Sequence, residues 1–234
     1  AFNPDGTILA SAGIDHTVRL WNIETGTLES RLNGHEDEVY TLAFSSDGSI
    51  LASAGADTTI LLWHKDTTGS WESKALTENT NWVLSVAFSP DGSILASGGA
   101  DNSIHVWNVA NVAEASHMGA LTGHNNWIRS LDFNTDGDRL VSADANGLVA
   151  IWDSVNWQFL DSFVNIQQTE IRSVVFSPDT PIIAIGGQSN AITLWHLEES
   201  FALGQPLLNH TEQVLSTAFH PSKPILATAG GLEN

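Results

Sequence analysis

The 234-residue chain has no cysteine, one methionine and one tyrosine, and only 8 Lys and Arg against 27 Asp and Glu. Without cysteine there are no disulfides, no thiol nucleophiles and no thiolate metal sites, which fits a reducing, cytoplasmic setting. The shortage of basic residues leaves a formal charge of −19. That argues against nucleic acid or an anionic membrane as a partner, because both need clustered Lys and Arg. No run of apolar residues is long enough to span a bilayer. Glycine-rich phosphate loops, H-E-x-x-H and G-x-S-x-G are absent, and the nine His are scattered without metal-ligand spacing. No metal, no cofactor and no catalytic residue is therefore expected. What is present is a hydrophobic fraction of 42%, enough for a folded core.

The second fact is repetition, which is sought before any local structure. Phe2, Phe44, Phe88, Phe133, Phe176 and Phe219 recur at steps of 42, 44, 45, 43 and 43. Trp21, Trp63, Trp107, Trp152 and Trp195 each follow their Phe by 19 residues. Five residues before each later Phe stands Val39, Val83, Ile128, Ile171 or Val214. The gap from each Trp to the next of these varies from 18 to 21, so length variation is confined to one part of the unit, as at a solvent-facing edge. Within a unit, apolar residues alternate with a period of two in VYTLAF, SILASA and TTILLW. Asp5-Gly6, Asp47-Gly48, Asp91-Gly92 and Asp136-Gly137 separate a first strand from a second, with glycine supplying positive φ. A second turn is expected around Asp15, Asp57 and Asp101, and a fourth strand after each Trp. The unit is a four-stranded antiparallel meander that must stack on its neighbours to bury both faces.

Such units, with a Gly-His start and a Trp in the third strand, resemble the WD-repeat family of β-propellers over the whole chain. FSPDGSILASGGADNSIHVWN (88–108) is especially close to the family pattern. The resemblance implies an all-β propeller in a single domain. Its six blade registers lie at 1–33, 34–77, 78–122, 123–165, 166–208 and 209–234; four are complete and both terminal ones partial. Seven blades are usual in the family, so the chain is expected to be a piece of a longer propeller. The resemblance also implies structural tetrads of His, Ser or Thr, Asp and Trp, in which buried hydrogen bonds run from Trp through Ser and His to Asp. His35, Ser53, Asp57 and Trp63 match throughout. Ser97, Asp101 and Trp107 match in the next unit with Asn79 for His. His124, Ser142 and Trp152 follow, with Asn146 expected in place of Asp. Ser11, Asp15 and Trp21 serve the first unit, and His210 and Thr228 the last. The unit ending at Trp195 departs most, with Gln167, Ile185 and Ser189. Recurrence from unit to unit makes these structural groups rather than catalytic ones. Ser142, Asp144, Asn146, Gly147 and Asp153 loosely match a calcium-loop template, but the repeat register makes them strand, turn and strand, and no calcium is expected.

Partners of WD-repeat propellers commonly meet the narrow top face. The resemblance places there the residues flanking the landmark that opens each first strand: Glu38 and Tyr40, Trp82 and Leu84, Trp127 and Arg129, Glu170 and Arg172, and Gln213 and Leu215. Ile14, Ala56, Ala100 and Gln188, each preceding a second turn, join them. Tyr, Trp and Arg are the residue types enriched at interface hot spots, and Trp82, Trp127, Arg129 and Arg172 are expected to form one patch. The function read from the sequence is a non-catalytic protein- or peptide-binding scaffold. A second reading is the sensor end of a larger bacterial signalling or defence ATPase; a propeller enzyme is a remote third.

Overall fold

A computed structural model describes residues 1–164 and 169–231. The chain is all-β, and the only helix among the described residues is a 3₁₀ turn, Val112–Glu114. No helix among them is long and apolar enough to cross a membrane. Backbone contacts divide the chain into two compact units, Ala1–Thr122 and Gly123–Asn234, and each is described by itself.

The first unit holds three antiparallel sheets. Ile8–Ala12, Thr17–Asn22 and Thr27–Asn33 make the first, with Phe2 bridged to Leu9 beside it. Val39–Phe44, Ile50–Gly55, Ile60–Lys65 and Trp71–Leu76 make the second. Val83–Phe88, Ile94–Gly99, Ile104–Asn108 and Ser116–Leu121 make the third. The second unit begins with Ile128–Phe133, Arg139–Asp144, Leu148–Asp153 and Gln158–Val164. Its next sheet is Ile171–Phe176, Ile182–Gly187 and Ala191–His196, with an outer edge broken into Phe201–Ala202 and Leu207–Leu208. Val214–Phe219 and Leu226–Gly230 pair last. The six sheets follow one another along the chain.

Burial follows strand order. Ile50–Gly55 is buried at every position, and its small Ala and Ser side chains allow close packing on both faces. The outer strand Gln158–Val164 is almost wholly exposed. The 3₁₀ turn lies before an outer strand, in the part of the repeat where length varies. Leu20, Val39, Leu51 and Trp63 share one core cluster and Ile60, Leu62, Val83 and Trp107 another, both in the first unit. In the second unit Val149, Ile171, Val174 and Ile183 form the corresponding core.

The first turns refine the expectation from Asp-Gly. Gly6, Gly48, Gly92 and Gly137 take positive φ, 73° at Gly48, where the Asp47 carboxylate accepts from Ser45 Oγ and from the Ser49 backbone N–H. Those hydrogen bonds hold the Asp47 carboxyl below its usual range. At the second turns the residue after the Asp goes left-handed instead: His16, Thr58 and Asn102 at φ 62°, 64° and 63°.

Inner strands of neighbouring sheets in the second unit are joined by side chains. Val174 N–H donates to Ser130 Oγ at 3.0 Å, and Thr217 N–H to Ser173 Oγ at 3.0 Å. The two serines are equivalent in the repeat, so one device is used twice.

Candidate functional site

Glycine positions the ends of the inner strands. A Cβ on Gly55 would lie 1.9 Å from the carbonyl oxygen of Glu38, and one on Gly99 1.9 Å from that of Trp82. Gly187 stands in the same relation to Glu170. In these three sheets there is no room for a Cβ, and the residue preceding the landmark is seated directly against the second strand. The landmarks Val39, Val83, Ile128, Ile171 and Val214 are all buried, so their flanking side chains are held on fixed backbone.

Beneath these ends run the hydrogen-bond chains. Trp63 Nε1 donates to Ser53 Oγ at 2.7 Å, that hydroxyl meets His35 Nε2 at 2.7 Å, and His35 Nδ1 meets Asp57 Oδ2 at 2.7 Å. The serine is fully buried, so the network satisfies groups that could not reach water. Trp21 donates to Ser11 Oγ at 2.8 Å, while Asp15 pairs with Thr17 and Arg19. His210 Nε2 meets Thr228 Oγ1 at 2.7 Å.

Three units depart from this wiring. In the third sheet Trp107 donates to Ser97 Oγ at 2.9 Å and Ser97 to Asn79 Oδ1 at 3.2 Å. Asn79 extends no further to Asp101. That carboxylate instead meets His105 Nε2 at 3.2 Å, and His105 Nδ1 meets His117 Nε2 at 3.0 Å. Burial pushes the Asp101 carboxyl up, but His105 and the Thr80 and Ser103 N–H groups leave it below its usual range.

In the sheet after it, the expectation that Asn146 replaces the acid is wrong. His124 Nε2 meets Ser142 Oγ at 2.6 Å, and His124 Nδ1 meets Asp144 Oδ2 at 2.9 Å. Asp144 occupies the position that Gly55 and Gly99 hold in their units, so the carboxylate has moved two residues along the chain. It also accepts from the Asn146 and Leu148 N–H groups, whereas Asn146 Oδ1 accepts from Asn126. The reason is chemical: an imidazole N–H buried beside Ser142 is best met by an anionic acceptor. Asp144 is thereby committed to His124 and the turn, as a strand–turn–strand rather than a calcium loop.

The unit ending at Trp195 has Ile185, buried, where the serine would stand. Its indole stacks on Phe163 of the preceding sheet at 3.9 Å between centroids, with planes 8° apart. Apolar stacking has replaced the hydrogen-bond chain. Ser189 bonds locally to the Ala191 carbonyl, and Gln167 lies outside the described residues.

The flanking residues form two groups, one in each unit. In the first, Tyr40 and Trp82 are 41% and 42% exposed and meet edge to face at 6.1 Å; Leu84, on the other side of Val83 from Trp82, is half-buried, and Glu38 holds the Tyr40 hydroxyl. Ile14 is exposed, Ala56 is half-buried, and Ala100, expected on this face, is buried under the turn. In the second unit Arg129 lies over the exposed Trp127 ring at 5.0 Å. Arg129 Nη2 is 2.9 Å from Glu170 Oε1, and Arg172 Nε is 3.4 Å from the same oxygen. Leu215 and Gln188 are exposed, and Gln213 is half-buried. The sequence missed the sharing of Glu170 by two arginines, because its partners stand more than forty residues apart in the repeat.

It also missed Asp132, which sits where other units carry Ala43, Ala87, Val175 and Ala218. Its Oδ2 accepts from the Phe176 N–H at 2.7 Å. The protein packed around it raises the carboxyl to about 7, more than the Phe176 and Phe133 N–H groups lower it. A charged residue in a column otherwise held by Ala and Val was the available signal. Among the described residues no group of three or more His, Cys, Asp and Glu could hold a metal ion.

The repeat is found in known proteins. The family described as WD domain, G-beta repeat matches residues 1–22, 26–64, 71–108, 115–153 and 159–196. Over 36 residues the chain is 44% identical to Coronin-7 of Rattus norvegicus, covering 15% of this chain and 4% of that protein. It is 48% identical over 42 residues to the Lissencephaly-1 homolog of Caenorhabditis briggsae, 18% of this chain and 11% of that protein. It is 42% identical over 41 residues to the general transcriptional corepressor TUP1 of Saccharomyces cerevisiae, 18% and 6% respectively. The chain therefore aligns with about one repeat and a small part of each relative. Matched along most of its length by five repeats, and carrying their sheets and hydrogen-bond chains, it belongs to the WD-repeat family, whose domains are generally protein-interaction scaffolds.

Proposed function

We propose that this chain is a non-catalytic scaffold that binds a protein or peptide through the side chains flanking the buried landmark of each inner strand, its six registers acting as one cytoplasmic domain. The observation carrying this reading is that Tyr40, Trp82 and Trp127 stay exposed on backbone fixed by Gly55, Gly99 and the buried landmarks. Large aromatic side chains held rigidly at a surface lose little entropy on binding and dominate interface energetics. The repeated His and Asp groups are hydrogen-bonded within the sheets, which supports reading them as structural. A cysteine-free chain folds without an oxidising compartment, which supports the cytoplasmic setting.

The test is affinity capture with mass-spectrometric identification of the partner, followed by titration of that partner. Trp82→Ala and Trp127→Ala should each weaken binding at least tenfold, about 1.4 kcal/mol, with unchanged melting curves. Unaltered affinity in both variants would make these residues ordinary surface.

A further inference from the structure

We infer that Asn33 is a site of covalent self-modification, independent of what the chain binds: the Gly34 backbone nitrogen closes on the Asn33 side-chain amide, and hydrolysis of the ring leaves aspartate or isoaspartate. The identical Asn146-Gly147 pair is shielded by the fold.

The chemistry needs only the chain and water. A glycine after Asn has no Cβ to keep its nitrogen away from the Asn side chain. The Gly34 nitrogen, on losing its proton, bonds to Asn33 Cγ, and Nδ2 leaves as ammonia. Water then opens the cyclic imide. Cleavage of the new N–Cγ bond gives aspartate. Cleavage of the original peptide bond gives isoaspartate, with the main chain rerouted through Cβ and Cγ. One water is consumed, one ammonia is released, and nothing is oxidised or reduced.

Six glycines of the chain follow Asn or Asp. In five the N–H is occupied: Gly6, Gly48, Gly92, Gly137 and Gly147 donate to the carbonyls of Asn3, Ser45, Ser89, Asn134 and Asp144 at 2.9 to 3.1 Å. A nitrogen held in this way must break its hydrogen bond and turn before it can attack. Gly34 is the exception, since among the described residues its backbone N–H meets no acceptor. Asn33 and Gly34 are both exposed, at the end of the outer strand Thr27–Asn33. By contrast, Asn146 Oδ1 accepts from Asn126 Nδ2 at 2.7 Å, and Gly147 is buried. The position of Asn33 gives the change a consequence. Gly34 leads into His35 of the complete hydrogen-bond chain, and a Cβ on it would lie 3.0 Å from Leu61 Cδ1 and 3.1 Å from Trp63 Cη2. An isoaspartyl linkage adds a main-chain carbon at this contact and displaces His35 from Ser53 and Asp57.

Ageing of the folded chain at neutral pH, followed by tryptic mapping with mass spectrometry, tests this. Asn33 is the only Asn in the peptide 32–65, and fragment ions locate a gain of one mass unit at Asn146 within 140–172. Conversion at Asn33 should run at least tenfold faster than at Asn146, and in concentrated urea the two rates should come within threefold of each other. The isoaspartyl product should accept a methyl group from an isoaspartate carboxyl methyltransferase supplied with S-adenosylmethionine. Separated by ion exchange, it should unfold at lower urea than Asn33→Asp, which carries the same charge on an unaltered main chain. No conversion at Asn33, or equal rates at the two sites in the folded chain, would overturn the assignment. A tenfold difference that persists in urea would overturn it too, because sequence neighbours rather than the fold would then set the rate. An isoaspartyl form as stable as Asn33→Asp would overturn the coupling to His35.

Discussion

Asp132 shows how one side chain can run against the rule of its column. Its carboxyl is at about 7 in the folded chain against an ordinary 3.8, so folding favours the protonated form. Well below 3.8 the group is neutral in both states and takes nothing from stability. As pH rises toward 7 the unfolded chain releases the proton while the folded one keeps it, and stability falls by about 1.4 kcal/mol per pH unit. Above the folded value the loss is complete. Asp132→Asn retains an oxygen to accept from the Phe176 N–H and removes the titration. The variant should therefore exceed the parent by about 2 kcal/mol or more at pH 8, with the difference closing toward pH 4. Urea melts of both proteins across that range check it. A constant difference would mean that Asp132 stays ionised in the folded chain.

At the scale of the sheet, the hydrogen-bond chain tolerates relocation of its acid. His35 reaches Asp57 in the second turn, whereas His124 reaches Asp144 two residues earlier, on the strand itself. Sequence spacing alone pointed to Asn146, because position in a repeat says which residue is aligned and not where a carboxylate ends up. Strand order, turn positions and the landmark residues were legible, since a period of two and fixed Phe-to-Trp spacing leave one register that buries Trp63, Trp107 and Trp152. The swap of Ile185 and Phe163 around Trp195 was only half legible: the missing serine is visible, its stacking partner in another unit is not. Asp144→Ala should cost about 3 kcal/mol by leaving a buried imidazole N–H unmet, whereas Asn146→Ala, losing an exposed contact with Asn126, should cost under about 1 kcal/mol. Asp144→Gly combined with Asn146→Asp rebuilds the arrangement of Gly55 and Asp57 and should recover most of the loss. Denaturant midpoints decide; no recovery in the double variant would mean that the two positions are not interchangeable.

Across the whole chain, an excess of 27 acidic over 8 basic residues sets the field that any partner meets first. Sequence composition made that field legible, but not the local exception, which needs Arg129 and Arg172 brought from separate units onto Glu170. The reach of the field depends on salt: at about 10 mM, charges up to about 30 Å away are felt, and at about 100 mM the range shrinks to about 10 Å. A basic peptide should therefore bind this chain less as salt rises from about 10 to about 100 mM, and an acidic peptide of equal length should not bind better at the lower salt. Titration of both peptides at the two ionic strengths gives the comparison. A salt-independent affinity of the basic peptide would show that the net field of the chain does not reach its binding site.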